Sequence, residues 1–315
     1  MTRPPRRRIA VVGSLHFDIM VRAPYQPRSG ETLIGSEWWW KPGGKGGNQA
    51  MAAARHGAAV EMIGSLGDDA FGARLRERLA AAGVGLANVR TASTGSGMSV
   101  AIVQESGDYA AVVVSGANRA LDEVQIQDAD EALRQSRVLL LQNEIGEDAN
   151  AAAARLARAA GATVILNAAP ARPSADGLAG LVDILIVNAI EAEMLGGGAV
   201  TDLASATAAA HRLRNLAATA IVTAGAQGLA AISDIGALQI AAYPVANAET
   251  HGAGDVFVGA LAAQLADKRS FTEAVRYANA AAALHVGTSE EMRAAIGPDD
   301  VQRLLSNPDE LLRRV

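Results

Sequence analysis

Short apolar runs alternate along this chain with longer stretches whose apolar residues recur every three or four positions. Residues 9–12 form the first run, ending at Gly13, and read as a buried strand. An Ala-rich stretch over 47–56 follows a glycine loop and predicts a helix. Residues 60–63 then read as a strand, and 71–82 as a helix with Arg and Glu on one face. The rhythm resumes with strands at 138–142, 163–166, 184–187 and 220–223. Between them lie helices over 149–160, from about Glu191, and over 204–216; beyond Tyr243 the pattern is mostly helical. Strands that alternate with helices imply parallel βαβ units and a helix-covered sheet.

Two regions break the rhythm. Residues 17–23 with 32–41, and 97–103 with 109–114, are β-rich and have no helix between them, which predicts hairpin-like strands outside the main sheet. No internal repeat, heptad array or low-complexity linker interrupts the rest. The simplest organisation is a basic tail over 1–8 followed by a single domain over 9–315, with a small β-element inserted near its start.

Composition narrows the class. Of the 315 residues, 50% are apolar and 19% charged, which is globular rather than disordered. A formal net charge of −5 supplies no field for nucleic acid or an anionic membrane. Arg3, Arg6, Arg7 and Arg8 form the one basic cluster, read as a solvated tail. The chain has no cysteine, so thiol nucleophiles, disulfides and Cys-based zinc sites are excluded, in keeping with a reducing compartment. No apolar window approaches a membrane span, and residues 9–12 are too short for a signal-peptide core. A cytoplasmic protein is the expectation.

The most distinctive local pattern is Glu249-Thr250-His251-Gly252-Ala253-Gly254-Asp255, which leads into the apolar Val256-Phe257-Val258-Gly259-Ala260-Leu261. Two glycines let the backbone bend so that N–H groups converge at a helix N-terminus, where the macrodipole favours an anion. An aspartate at that point can accept a proton from a hydroxyl while the amides hold a transferring phosphoryl group. Taken alone, the segment is equally an Asp N-cap after a flexible turn. The second pattern is Gly43-Gly44-Lys45-Gly46-Gly47-Asn48-Gln49-Ala50, where dense glycine allows backbone to approach a ligand and Lys45 and Asn48 can bond hydroxyls. No Ser or Thr follows the lysine, so it is not a Walker A loop. Nor is it a G-x-G-x-x-G after a strand, so a dinucleotide site lacks support.

Together the two segments resemble the signature regions of the ribokinase-like (phosphofructokinase-B-type) carbohydrate kinases. The resemblance runs through most of the chain in order. Gly13-Ser14-Leu15-His16-Phe17-Asp18 is similar to the family's opening G-S-x-N-x-D, and Pro27-Arg28-Ser29-Gly30-Glu31-Thr32 to P-x-x-G-E-T. Gly67-Asp68-Asp69-Ala70-Phe71-Gly72 matches G-D-D-x-x-G, and Ser115-Gly116-Ala117-Asn118 the G-A-N after the lid strands. Asn167-Ala168-Ala169-Pro170-Ala171 resembles N-P-A-P-A with one proline lost. Asn188-Ala189-Ile190-Glu191-Ala192-Glu193 fits N-x-x-E-A-E, and Thr223-Ala224-Gly225-Ala226-Gln227-Gly228 fits T-x-G-x-x-G.

The resemblance implies an α/β fold: a ribokinase-like, doubly wound, mostly parallel sheet flanked by helices, with a small β-sheet lid drawn from about 14–23, 32–41 and 97–115. It implies an ATP- and Mg²⁺-dependent phosphotransferase acting on a hydroxymethyl group of a sugar, ribose-like first, with a nucleoside kinase or a non-catalytic sugar-binding regulator as alternatives. Carried over by position, Asp18, Gly44, Lys45, Asn48 and Glu144 would hold the substrate's hydroxyls. Asp255 would touch the substrate as the base, and the amides of Gly252, Ala253, Gly254 and Asp255 would form the anion hole. Asn188 and Glu191 would organise the magnesium–phosphate–water shell. Thr223, Gly225 and Gly228, with Gly254 and Asn279, would line the nucleotide site.

Several positions depart from the family pattern. His16 stands where the family carries Asn, with a different reach and ring plane. The implied monovalent-cation site involves Glu249 and His251. Glu249 is one methylene longer than the family's aspartate, and residues 288–292 lack the usual small Gly/Ala turn, so weak activation by K⁺ is expected. Trp38, Trp39 and Trp40 are the only tryptophans. On a strand the first and third share a face, which suits a substrate ring on one side and a subunit contact on the other, or ordinary lid packing. A homodimer through the lid strands is expected, with a small sugar or nucleoside, rather than nucleic acid or a membrane, as the partner.

Overall fold

The computed structural model describes residues 8–104, 109–172, 176–245 and 250–307. Its strands are β1 (Arg8–Val12), β2 (His16–Arg22), β3 (Glu37–Gly43), β4 (Ala59–Gly67), β5 (Gly85–Ala92), β6 (Gly97–Val103), β7 (Tyr109–Val114), β8 (Val138–Gln142), β9 (Thr163–Asn167), β10 (Ile184–Asn188), β11 (Thr219–Thr223), β12 (Leu229–Ser233) and β13 (Gly236–Ile240). The α-helices are α1 (Lys45–Arg55), α2 (Ala70–Ala81), α3 (Glu123–Asp128), α4 (Asp130–Arg134), α5 (Glu147–Ala159), α6 (Ala189–Met194), α7 (Leu203–Leu213), α8 (Ala253–Ala266), α9 (Phe271–Val286) and α10 (Pro298–Ser306).

Nine strands form the main sheet in the order β13-β12-β11-β10-β9-β8-β1-β4-β5, parallel from β5 through β11 and antiparallel at β12 and β13. The central strands are apolar throughout because helices cover both faces. Side-chain alternation splits β1 between two cores. Ile9 and Val11 join α1, α8, α9 and α10 on one side. Ala10 and Val12 join α3, α5 and α7 on the other. Among the described residues no helix is long and apolar enough to cross a membrane.

The four-stranded lid has the order β3-β2-β6-β7. Its two antiparallel pairs were anticipated, but β2 and β6 also pair in parallel, with Ile19 opposite Val100, so the hairpins fuse into one sheet. The strand expected from residue 32 starts at Glu37. Arg8, assigned to the tail by its charge, opens β1, and its guanidinium reaches Gln135. The remaining tail residues lie outside the described residues. Strands β5, β12 and β13 and helices α3 and α4 went unforeseen. β5 and β13 are edge strands whose mixed polarity gives little periodic signal.

Two stretches of glycine set the geometry that matters for function. Side chains at Gly44 or Gly46 would run into the Ser14 backbone at 2.8 and 2.7 Å, and Gly47 N donates to Ser14 O at 2.9 Å. These glycines therefore seat the start of α1 on the β1–β2 bend, an added role beyond approach to a ligand. Farther along, a side chain at Gly259 of α8 would meet Ala52 Cβ at 2.6 Å, Gln49 O at 2.7 Å and Ala53 N at 2.8 Å. Two of those atoms are α1 backbone and cannot swing aside, so α1 and α8 cross in near backbone contact. Gly259→Ala should lower stability by about 1–3 kcal/mol through overpacking, read as an earlier urea midpoint with unchanged slope.

Candidate active site

The parallel strands end at a common edge, and their last residues are polar: Gln142 on β8, Asn167 on β9, Asn188 on β10 and Thr223 on β11. That carboxyl edge is where open α/β sheets place their ligands. The α1–α8 crossing delivers Asp255 to this edge. Asn48 Nδ2 donates to Asp255 Oδ2 at 3.1 Å, and Gln49 Nε2 donates to Oδ1 at 3.0 Å. Gln49 is wholly buried; it also donates to Asn167 Oδ1 at 3.0 Å and accepts from Gln142 Nε2 at 2.8 Å. A buried amide with its hydrogen bonds spoken for is rigid, so the carboxylate it holds is fixed in place.

Burial pushes the Asp255 carboxyl above the usual aspartate range. The Lys45 charge and the bonds from Gln49 and Asn48 oppose that rise, while Glu144 adds to it. Burial likewise raises Glu191, against the Asn188 amide and Lys45, with Asp255 pushing the same way as burial. The Lys45 charge thus acts on both acids. Glu144 takes its place from the other side, since its Oε2 accepts from Lys45 N at 2.8 Å and from the Ser14 hydroxyl.

Gly252, in the left-handed region at φ +78°, caps α8 without a side-chain bond. Of the four amides expected in the anion hole, that of Ala253 is taken by Thr250 O at 3.2 Å. The amides of Gly252, Gly254 and Asp255 have no protein acceptor among the described residues. Three orphan donors at the start of a 14-residue helix are a ready seat for an anion.

The other expected residues fall into three groups. On the lid side, Asp18 Oδ1 accepts from Ser99 Oγ at 2.5 Å, and its carboxylate lies against Gly43. His16 is buried at 4% exposure, and its Nε2 has no partner among the described residues. Asn188 and Glu191 form a reciprocal capping box on α6, both bonds at 2.8 Å. Thr223 Oγ1 reaches Val187 O at 3.4 Å, Gly225 and Gly228 turn at positive φ before β12, and Asn279 Nδ2 bonds Ala241 O at 3.1 Å. Among the described residues no hydrogen bond joins this last set to the Asp255 cluster. Glu249 lies outside the described residues, and His251 is placed by His285, whose Nε2 meets His251 O at 2.9 Å.

Trp40 is committed to packing. It stacks on Phe17 at 4.5 Å, which stacks in turn on Phe71 at 4.3 Å, joining the lid to α2. Arg22 lies over Trp39, and Trp38 is 66% exposed. The substrate-stacking role considered for this face therefore loses Trp40. His56 bonds the Tyr277 hydroxyl inside the core, and burial holds it neutral with a pKa of about 4.

The sequence comparison decides the family. A family profile described as "pfkB family carbohydrate kinase" matches residues 6–294. The chain belongs to that family. The kinase is 36% identical over 283 residues to a protein named ribokinase from Haemophilus influenzae, covering 89% of this chain and 92% of that one. It is 33% identical over 300 residues to a ribokinase from Bacillus subtilis, covering 95% and 100%. Among solved structures, ribokinase from Arabidopsis thaliana complexed with ribose and ATP superposes with a TM-score of 0.88 at 31% identity, covering 94% of this chain and 98% of that one. The kinase thus has the ribokinase-like α/β fold with its smaller lid sheet.

Gln49, Gln142 and Asn167 were not foreseen as site residues. The signal was present: Gln49 occupies a core-facing position of an Ala-rich helix, where a polar side chain needs a partner. If Asp255 acts as a base, its burial should place the acid limb of kcat/KM above the ordinary aspartate value near 3.9. Lys45→Met removes the charge that favours the carboxylate, so the limb should move to still higher pH in a pH–rate profile. A limb unmoved by the substitution would separate Lys45 from Asp255.

Proposed function

We propose that this kinase transfers the γ-phosphoryl group of ATP to the hydroxymethyl group of ribose or a ribose-like sugar, with Asp255 as base. The observation that carries the reading is the buried Asp255 carboxylate, gripped by Asn48 and Gln49 beside three amides at the α8 N-terminus that have no acceptor among the described residues. Asp255 takes the hydroxyl proton as the sugar oxygen attacks the γ-phosphorus, and the bond from that phosphorus to the β–γ bridging oxygen breaks to release ADP. The amides of Gly252, Gly254 and Asp255 hold the charge on the transferred group. Lys45 adds a positive charge that acts on both Asp255 and Glu191.

Asp18, Asn48 and Glu144, with the Gly44–Lys45 backbone, are assigned to the sugar's hydroxyls. His16 joins them, since its buried, unpartnered Nε2 is a donor or acceptor waiting for one. The turn of Thr223, Gly225 and Gly228, with Asn279, is assigned to the nucleotide. The names of the relatives and the bound ribose and ATP of the Arabidopsis enzyme support this reading. The Trp40 stack leaves a nucleoside base one surface fewer.

Magnesium fits the donors present. Among the described residues no three carboxylates or imidazoles could cage a metal, whereas Asn188 and Glu191 are hard oxygen donors suited to an ion that keeps its waters and arrives with the nucleotide. Such an ion would neutralise the phosphate charge, and Asn188 and Glu191 would orient its water shell.

The lid suits a homodimer. Its edge strands β3 and β7 carry exposed Trp38, Val112, Val113 and Val114, an apolar edge that a partner would cover.

Three outcomes are expected. ADP release with a panel of pentoses, hexoses and nucleosides should be fastest with ribose; turnover confined to nucleosides would reverse the assignment. Asp255→Asn should lower kcat by roughly 10² to 10⁴ with little change in ATP binding, and near-normal turnover would remove Asp255 as base. Light scattering at micromolar concentration should report a dimer, and an active monomer would contradict it.

A further inference from the structure

The turn that carries the orphan amides is braced from behind. A side chain at Gly252 would meet Nε2 of His285 at 3.3 Å, and that nitrogen donates to His251 O at 2.9 Å. The last turn of α9 therefore holds the turn that opens α8. The same end of α9 is closed by Arg293, whose Nε donates to His285 O at 2.9 Å and Thr288 O at 3.0 Å. Arg293 is 7% exposed, whereas Met292 before it is 59% exposed. A guanidinium is retained this deep only where its donors are matched, and at a helix C-terminus its charge faces the carbonyl dipoles.

A plain C-cap would account for the two bonds. The placement says more. His251, His285 and Thr288 come from the two segments where the family resemblance implies a monovalent cation ringed by backbone carbonyls. Here all three carbonyls accept from side-chain N–H groups, and two of them face a permanent positive charge. Each of these carbonyls has one lone pair already engaged, and an ion seated beside His285 O and Thr288 O would be repelled by the guanidinium that holds them. Among the described residues, these three carbonyls do not fit K⁺.

We propose that Arg293 is a built-in cation: with His285 it positions the anion-hole turn, so that phosphoryl transfer proceeds without an added monovalent ion. Arg293 is a positioning residue acting through α9, and the inference rests on the kinase reading above.

The test measures initial rates with ribose and ATP in Tris free of alkali cations, then with K⁺ at fixed ionic strength, for wild type, Arg293→Lys and Arg293→Ala. Melting temperatures are recorded in the same buffers. Wild type should change less than about threefold with K⁺, and its melting temperature should stay put. Arg293→Ala should lose at least about tenfold in kcat, with guanidinium at tens of millimolar, or K⁺, restoring several-fold of it; Arg293→Lys should retain more than the alanine variant. Wild-type activation of about a hundredfold, or a K⁺-specific rise in its melting temperature, would overturn the proposal. So would wild-type kcat in the alanine variant without added cation. If that variant does not fold, the lysine variant and the wild-type titrations decide. Failure of wild type to phosphorylate any sugar in any buffer would sink the kinase reading, and the melting curves would still test the ion.

Discussion

The backbone contact between α1 and α8 is the constraint on which the rest depends. Gly259 brings α8 onto Gln49, Ala52 and Ala53 at a distance no side chain would tolerate. Nearly two turns before Gly259, α8 begins at the carboxyl edge of the sheet, and so does α1. The crossing therefore sets Asp255 of one helix against Asn48 and Gln49 of the other, at 3.1 and 3.0 Å. Helix packing of this closeness is usually a stability device; here it also fixes a buried carboxyl. The glycines of α1 do the matching task on the strand side, locking Gly46 and Gly47 onto the Ser14 backbone.

Electrostatics then gives the site its direction. Burial raises Asp255 and Glu191, and one lysine, Lys45, offsets both. Burial favours the protonated form of Asp255, while the amides at the same helix start favour an anion. The lid contributes its own polar atoms, Asp18 and His16, and is fastened to α2 by the Trp40–Phe17–Phe71 stack.

Much of this was legible in the sequence, and the exceptions have physical causes. The buried parallel strands were plain because helices cover both faces and leave continuous apolar runs, as in Val138–Gln142. Edge strands β5 and β13 were not, since an edge mixes polar and apolar positions without strict period. The parallel β2–β6 pairing joins residues about 80 positions apart, which no local pattern encodes. In the site, Asp255, Lys45 and Asn48 stood out by residue type within glycine-rich turns. Gln49 lies in the same segment, but a neutral amide carries no charge that marks it as a site residue. Arg293 depended on a loop folding back onto α9, a tertiary fact. Asn188 and Glu191 had the spacing of a capping box, and the structure forms one.

On the proposed reading, the α1–α8 crossing acts on catalysis through the position of Asp255. A double-mutant cycle tests this most directly: kcat for wild type, Gly259→Ala, Asp255→Asn and the pair, each measured on folded protein. If the crossing serves to place the base, Gly259→Ala should cost about tenfold alone and less than about twofold once the base is gone. Equal losses in both backgrounds would show that the packing and the carboxylate act independently, and would contradict the account.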